Sequence, residues 1–258
     1  MSGISRADVG FVLATSILAL ISHAVALFVH EFAHSFLAWS LGFMSNPLAL
    51  DYGSASPGNV LLQIEVGDNV DYVPILASGH GFSAAAIALA GTFVGNGVLY
   101  CAIYAVLRSR ASELPAALAD FLFWLGLMCA GNVWSYVPMR ALATHADIAT
   151  AARGLDLSGL ALFPFLLIPA LLIVFHFFQR TCRLMIPILS GARPDQRVVV
   201  IALVATWFFV FFGGVGLSGS YGAISQAFSI ISDVLLLPAS IMWLLRFNPI
   251  ATLAERQP

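Results

Sequence analysis

Val25-Ala26-Leu27-Phe28-Val29-His30-Glu31-Phe32-Ala33-His34-Ser35-Phe36-Leu37-Ala38-Trp39 sets three ionisable side chains inside an apolar run that extends from about Val9 to Met44. A helix of about 20 apolar residues crosses a hydrocarbon layer of about 30 Å, and this run is longer than one crossing needs. On a helix, His30 and His34 stand one turn apart on one face, with Glu31 beside His30. Two imidazoles so placed can bind one zinc ion, and the neighbouring glutamate can act as base on water at that ion. A charge at membrane depth costs about 2.5–3.5 kcal/mol on insertion scales, so three ionisable groups there mark a functional site.

Five further apolar runs follow, over about 82–107, 116–137, 160–178, 198–216 and 227–245. They predict an all-α polytopic membrane protein with about six transmembrane helices, because lipid offers no partner to open backbone groups. Composition agrees: of 258 residues, 60% are apolar and only 9% charged, with mean hydropathy +0.94. A soluble domain carries about 25% charge, so a soluble globular protein, a disordered chain and a disulfide scaffold are excluded. The net charge of −2 points to no polyanionic partner; no nucleic acid is expected, and the lipid bilayer is. Cys101, Cys129 and Cys182 lie far apart and read as small core residues. Arg6 and Ala24-Val25-Ala26 loosely fit a cleaved leader, but the apolar run continues past them, so an uncleaved helix is expected.

All 11 basic residues are arginine. With the N-terminus in the cytoplasm, Arg6, Arg108, Arg110, Arg180, Arg183, Arg193, Arg197, Arg246 and Arg256 fall inside, and only Arg140 and Arg153 outside. The positive-inside rule favours that orientation, in the plasma (inner) membrane if the source is bacterial. The polar linker 45–81 holds Asp51, Glu65, Asp68 and Asp71 and no arginine. Its Val60–Val66 stretch, between Pro57-Gly58 and Gly67-Asp68, reads as a short strand, predicting a small β-hairpin or loop after the first helix. The chain therefore divides into residues 1–157, a three-helix core with the linker, and residues 158–258, three further helices of the same membrane domain.

Two histidines do not complete a catalytic zinc site, which has three protein ligands. The first and third helices run parallel, so the segment after the third returns to the membrane side on which the first ends. That segment offers His145 and Asp147, with Asp156 a weaker candidate. Asp147 has a structural reading as well, as an ion pair with Arg140 or Arg153 or as a helix cap before Ile148. His23 reads as a helix-packing residue.

Three stretches in order resemble the site-2 protease family of intramembrane zinc metalloproteases: His30-Glu31-Phe32-Ala33-His34, Ala88-Leu89-Ala90-Gly91-Thr92-Phe93-Val94-Gly95-Asn96, and Asn132 through Pro138 to Asp147. The second has Thr92 where the family has proline, and its asparagine stands one position later. The third is longer than the family spacing and lacks a glycine after Asp147. The resemblance covers about residues 20–150. It implies a Zn2+ cofactor held by His30, His34 and a carboxylate, which puts Asp147 ahead of His145. It implies Glu31 as general base and Asn132 as a hydrogen-bond donor to substrate, with a transmembrane helix of another membrane protein as the partner cut. Asn96 reads rather as part of a close-packed interface with Gly91, Gly95 and Gly97. The family places its site nearer the cytoplasm, opposite to the arginine count.

The main rival is a transporter or metal permease whose His, Glu and Asp residues form an ion path; Asp120, His176 and Asp233 are the further ionisable residues it would use. Gly216-Leu217-Ser218-Gly219 matches a serine intramembrane protease motif, but no histidine follows His176, and a glycine-rich turn is expected there.

Overall fold

The computed structural model describes residues 6–191 and 193–247. Arg256 and the side chain of Arg6, both counted for orientation, lie outside that description. The described residues fold into nine helices: α1 (Arg6–Ser40), α2 (Pro57–Leu62), α3 (Tyr72–Ala77), α4 (Gly81–Arg110), α5 (Ala116–Met139), α6 (Asp147–Gly154), α7 (Gly159–Ser190), α8 (Pro194–Ser218) and α9 (Ala223–Phe247). The six long ones are each long and apolar enough to cross a membrane, as expected of a multi-pass membrane protein. Their outer faces expose Leu13, Phe165, Leu172, Val234 and Met242, a belt of apolar side chains suited to lipid.

The β-hairpin expected in the linker is absent from the described residues. A single antiparallel bridge joins Asp51 and Gly67. Residues 57–62 are helical instead, for local reasons that outweigh the β-propensity of Val60 and Ile64. The Ser56 hydroxyl accepts the Asn59 N–H at 3.2 Å, and Pro57 fills the first turn with its φ already helical. Gln63 then closes the helix in the left-handed region (φ 49°, ψ 37°). The Asn59 amide ties the loop together, donating to the carbonyls of Tyr52 and Ser54 and accepting from the Glu65 N–H.

The main core lies among α1, α4, α5, α7 and α8, where Tyr100, Phe123, Trp124, Phe177 and Phe208 are fully buried. A second cluster joins α4, α5, α6 and α7 through Ala88, Val133, Ile148 and Leu166. Two close approaches fix the parts that matter for function. At Gly95, a Cβ would stand 2.8 Å from the Val29 carbonyl oxygen and 3.0 Å from the His30 Cα, so α4 lies directly on α1. At Gly81, a Cβ would run into the Gly154 carbonyl oxygen, so α6 is seated on the start of α4. Lipid gives helices no hydrophobic reason to associate, and small residues that let backbones touch supply van der Waals contact instead.

α4 and α5 both depart from regular geometry near the same place. α4 widens into a π-helical stretch over Ala90–Val98. α5 leaves helical geometry at Val137 (φ −133°, ψ 111°), directly before Pro138, whose ring disfavours helical conformation in the preceding residue.

Gly95→Val is expected to lower stability by about 1–3 kcal/mol, the range for overpacking a tight contact. Gly10→Val, on a face with nothing within 4 Å of an added Cβ, is expected to leave it unchanged. Reversible denaturation in detergent micelles measures both.

Candidate metal centre

α1 carries His30 and His34 on one buried face, their rings 4.8 Å apart. Each imidazole is fixed from behind. His30 Nδ1 donates to Asn96 Oδ1 at 2.7 Å, and Asn96 is itself oriented by donating to the Ala26 carbonyl at 3.0 Å. His34 Nδ1 donates to the Ile87 carbonyl at 2.7 Å. Both Nδ1 atoms therefore carry a proton, which leaves Nε2 of each ring as the atom that takes up a proton or a cation.

The first residue of α6 completes a triangle. Asp147 Oδ2 lies 3.4 Å from His30 Nε2 and 3.4 Å from His34 Nε2. Those separations are long for hydrogen bonds. They match the separation of about 3.3 Å between two donors of a tetrahedral ion with bonds of about 2.0–2.1 Å. Three observations fit a cation at this point. His30 Nε2 and Asp147 Oδ2 are both buried with no hydrogen-bond partner. Gly91 faces them, and a Cβ there would fall between the two Nε2 atoms, so the chain keeps that volume clear. The donor set, two imidazoles and a carboxylate, is one that divalent zinc accepts. Among the described residues no other group of three His, Cys, Asp or Glu side chains is placed to hold an ion.

Burial pushes the Asp147 carboxyl up, but the facing His34 and His30 outweigh it and hold the group well below the ordinary carboxylate range. It is therefore a carboxylate at neutral pH. Ala146 immediately before it adopts φ 71°, ψ −178°, a conformation that glycine alone takes without cost. This turn aims Asp147 inward. Asp68 of the linker stands behind His34, 3.9 Å from Nδ1, and accepts the Tyr72 hydroxyl at 2.8 Å. Burial raises its carboxyl, with His34 and Tyr72 opposing.

Beside the triangle opens a cavity of about 510 Å³, lined by His30, Glu31, Asn132, Tyr136, Arg140 and Tyr221 among others. Glu31 is buried. Asn132 is buried too, and its Nδ2 has no partner. A stacked column runs along the cavity. The Tyr136 ring lies on His30 at 4.6 Å, the Arg140 guanidinium on Tyr136 at 3.9 Å, Tyr221 5.6 Å beyond it, and His145 on Tyr221 at 5.0 Å.

The structure thus brings together His30, His34 and Asp147, and lines the adjoining cavity with Glu31 and Asn132. Asp147 is neither a helix cap nor ion-paired to Arg140 or Arg153; it occupies the first turn of α6 and faces the histidines. His145 is exposed and lies outside the triangle, as does Asp156. His23 packs edge-on against Phe211 at 5.0 Å and donates to the Leu62 carbonyl at 3.1 Å. Ser218 ends α8 just before the turn, bonded to the Val215 carbonyl and Ser220. Asn96 lies in the α1–α4 interface as expected and is also the orienting partner of His30, a role the sequence does not suggest. The π-helical stretch is the reason: an i→i+5 turn aligns residues five apart, so Gly91 and Asn96 meet the same face of α1. Asp68, Tyr136 and Arg140 went unread as site residues, since nothing in their local spacing marks them.

Comparison with protein-family models, with curated proteins and with solved structures yields no match to this chain.

Purified protein supplied with zinc is expected to bind close to one equivalent. His34→Ala, Asp147→Ala and Gly91→Ala are each expected to lose it, and His145→Ala to keep it. Elemental analysis after gel filtration in detergent measures the content, and circular dichroism reports that the helices persist.

Proposed function

We propose that this chain is an intramembrane zinc metallopeptidase of the site-2 protease type, which hydrolyses peptide bonds in or near transmembrane segments of other membrane proteins. The observation that carries the reading is the convergence of His30, His34 and Asp147 on one cleared volume, beside a cavity lined by a buried glutamate. The extra residue before Asn96, relative to the family's helix, also finds an account: the widened turn of α4 takes it up and still delivers the asparagine to His30.

Zinc bound there would supply Lewis acidity, making water nucleophilic near neutral pH and polarising a peptide carbonyl. The side chains around it do the rest. Glu31 takes a proton from the attacking water and later delivers it to the leaving amine. Its burial beside two imidazoles keeps that proton from bulk solvent. Asn132 Nδ2, with no partner in the protein, donates to the substrate carbonyl or to the oxyanion that develops on it. Asn96 and the Ile87 carbonyl hold the imidazoles in the tautomer the site needs.

The cavity also limits the form of the substrate. A 20-residue helix is about 30 Å long and at least about 10 Å across, far more than 510 Å³ can hold. A helix, moreover, keeps its carbonyls in its own hydrogen bonds. The substrate therefore enters as a few unwound residues.

Glu31→Gln preserves size and hydrogen bonding but cannot accept the proton. It is expected to keep zinc and to lose cleavage of a transmembrane test substrate by at least about 100-fold, measured by gel and mass spectrometry in micelles. Zinc binding without cleavage, together with zinc flux into proteoliposomes, would instead make the chain a metal permease.

A further inference from the structure

Among the described residues Arg140 is the one guanidinium on the cavity wall; it feels the Asp147 charge through space and the Tyr221 hydroxyl beside it, but no carboxylate is in contact with it. Its Nη2 donates to Ser135 Oγ at 2.7 Å and its Nε to the Ser135 carbonyl at 3.2 Å. Its flat face rests on Tyr136 at 3.9 Å. Among the described residues no carboxylate lies within 4.0 Å of it; Asp147, the nearest in sequence, is engaged by the two histidines instead. Asp147 acts on the guanidinium only at a distance, because its contact partners are the two histidines. Here the fork is held at its root by Ser135, stacked on an aromatic ring, and presented along a cavity that also receives the free Asn132 Nδ2. A guanidinium so held matches a planar carboxylate, which it binds through two parallel hydrogen bonds. The carboxylates of Glu31 and Asp147 near the same cavity disfavour an anion of higher charge such as a phosphate.

We propose that Arg140 forms an anion subsite for a carboxylate carried by the substrate. Its register rests on the proteolytic reading; the anion site itself does not. The guanidinium lies two stacked layers from His30, through Tyr136 at 4.6 and 3.9 Å. An extended chain advances about 3.3 Å per residue, so the carboxylate sits about two or three residues from the bond cut. It comes from an acidic side chain or from the end of the chain, and both present the same group to Arg140. The substrate class is then an unwound segment with one acidic residue, or a free C-terminus, close to the cleavage point.

The test titrates fluorescein-labelled ten-residue peptides of Gly, Ala and Leu against the full chain in detergent micelles, with zinc and with EDTA. Each peptide carries one Asp or one Asn at successive positions and ends in a free acid or an amide. The wild type is expected to bind an acidic member about tenfold more tightly than its neutral pair by fluorescence anisotropy. A preference for internal Asp identifies a side-chain ligand, and a preference for the free acid identifies a chain end. Arg140→Gln is expected to abolish the preference. Arg140→Lys keeps the charge without the fork and is expected to retain only part of it. Equal binding of acidic and neutral peptides by the wild type overturns the proposal, as does a preference that survives Arg140→Gln. If Arg140→Gln does not fold, Arg140→Lys and Ser135→Ala decide, and a preference undiminished in both overturns it. The same peptides separate the two readings. An Arg140-dependent preference with no peptide cleaved removes proteolysis and leaves the subsite. Cleavage with no preference for acid removes the subsite and leaves proteolysis.

Discussion

No side chain fits between α1 and α4 at Gly91, and most of what is distinctive in this fold follows from that contact. The missing side chain at Gly91 leaves room for the two imidazoles, and at Gly95, about one turn on, the α4 and α1 backbones themselves approach, against the Val29 carbonyl and the His30 Cα. In lipid this close contact, with the Asn96 hydrogen bonds to His30 and the Ala26 carbonyl, is what holds two helices together. The same bonds orient His30, and the Ile87 carbonyl of α4 orients His34. Helix association and the aim of both imidazoles are therefore one interaction. α6 joins through a second contact of the same kind, Gly81 against Gly154, and brings Asp147 to the volume that Gly91 leaves open.

The charges assembled there make sense only as a set. Glu31, Asp68 and Asp147 stand near two buried histidines, in a chain with only 9% charged residues. Carboxylates gathered in a poorly solvated place repel one another, and each pays for its own desolvation. Asp147 stays ionised because the histidines face it, while Asp68 shares its burial with a hydroxyl donor. Both histidines have already committed Nδ1 to a neutral acceptor, so the stabilising positive charge belongs at Nε2. A divalent cation at that point, as proposed, is larger in charge than a proton and answers both the carboxylate and the two lone pairs.

The sequence makes some of this legible and hides the rest for identifiable reasons. His30, Glu31 and His34 are readable because helical spacing alone sets their relation, and the six spans because apolar length does. Parallel first and third spans make the segment with His145, Asp147 and Asp156 readable, and the choice of Asp147 among them comes from the family resemblance. Asn96 misleads because regular helical spacing turns it away from Gly91, and only the π-helical turn aligns them. The linker misleads because Val60 and Ile64 suggest a strand, while the deciding features are a serine and a proline just before them. Tyr136 and Arg140 are invisible because their roles are set by stacking on His30 and by the break at Val137, both products of tertiary packing.

Every candidate ligand and proton-handling group falls before residue 158, yet the cavity cannot be closed by those residues alone. Its remaining wall is Phe211, Phe212, Val215, Ser218, Ser220 and Tyr221, from α8 and the turn that follows it. That wall is itself built by close contacts: Gly131 of α5 admits the Phe212 ring, and Gly213 and Gly216 admit Ser232 and Ser225 of α9. Tyr221 extends the stacked column past Arg140, so the C-terminal helices reach the site through aromatic surface rather than through ligands. Of the last three helices, α8 alone lines the cavity, and α9 stands behind it through the contacts at Gly213 and Gly216. On the proteolytic reading proposed above, that wall would bound the volume in which an unwound segment lies beside Glu31. Such a role constrains side-chain size and aromaticity at a few positions and leaves the rest of those helices free to be merely apolar.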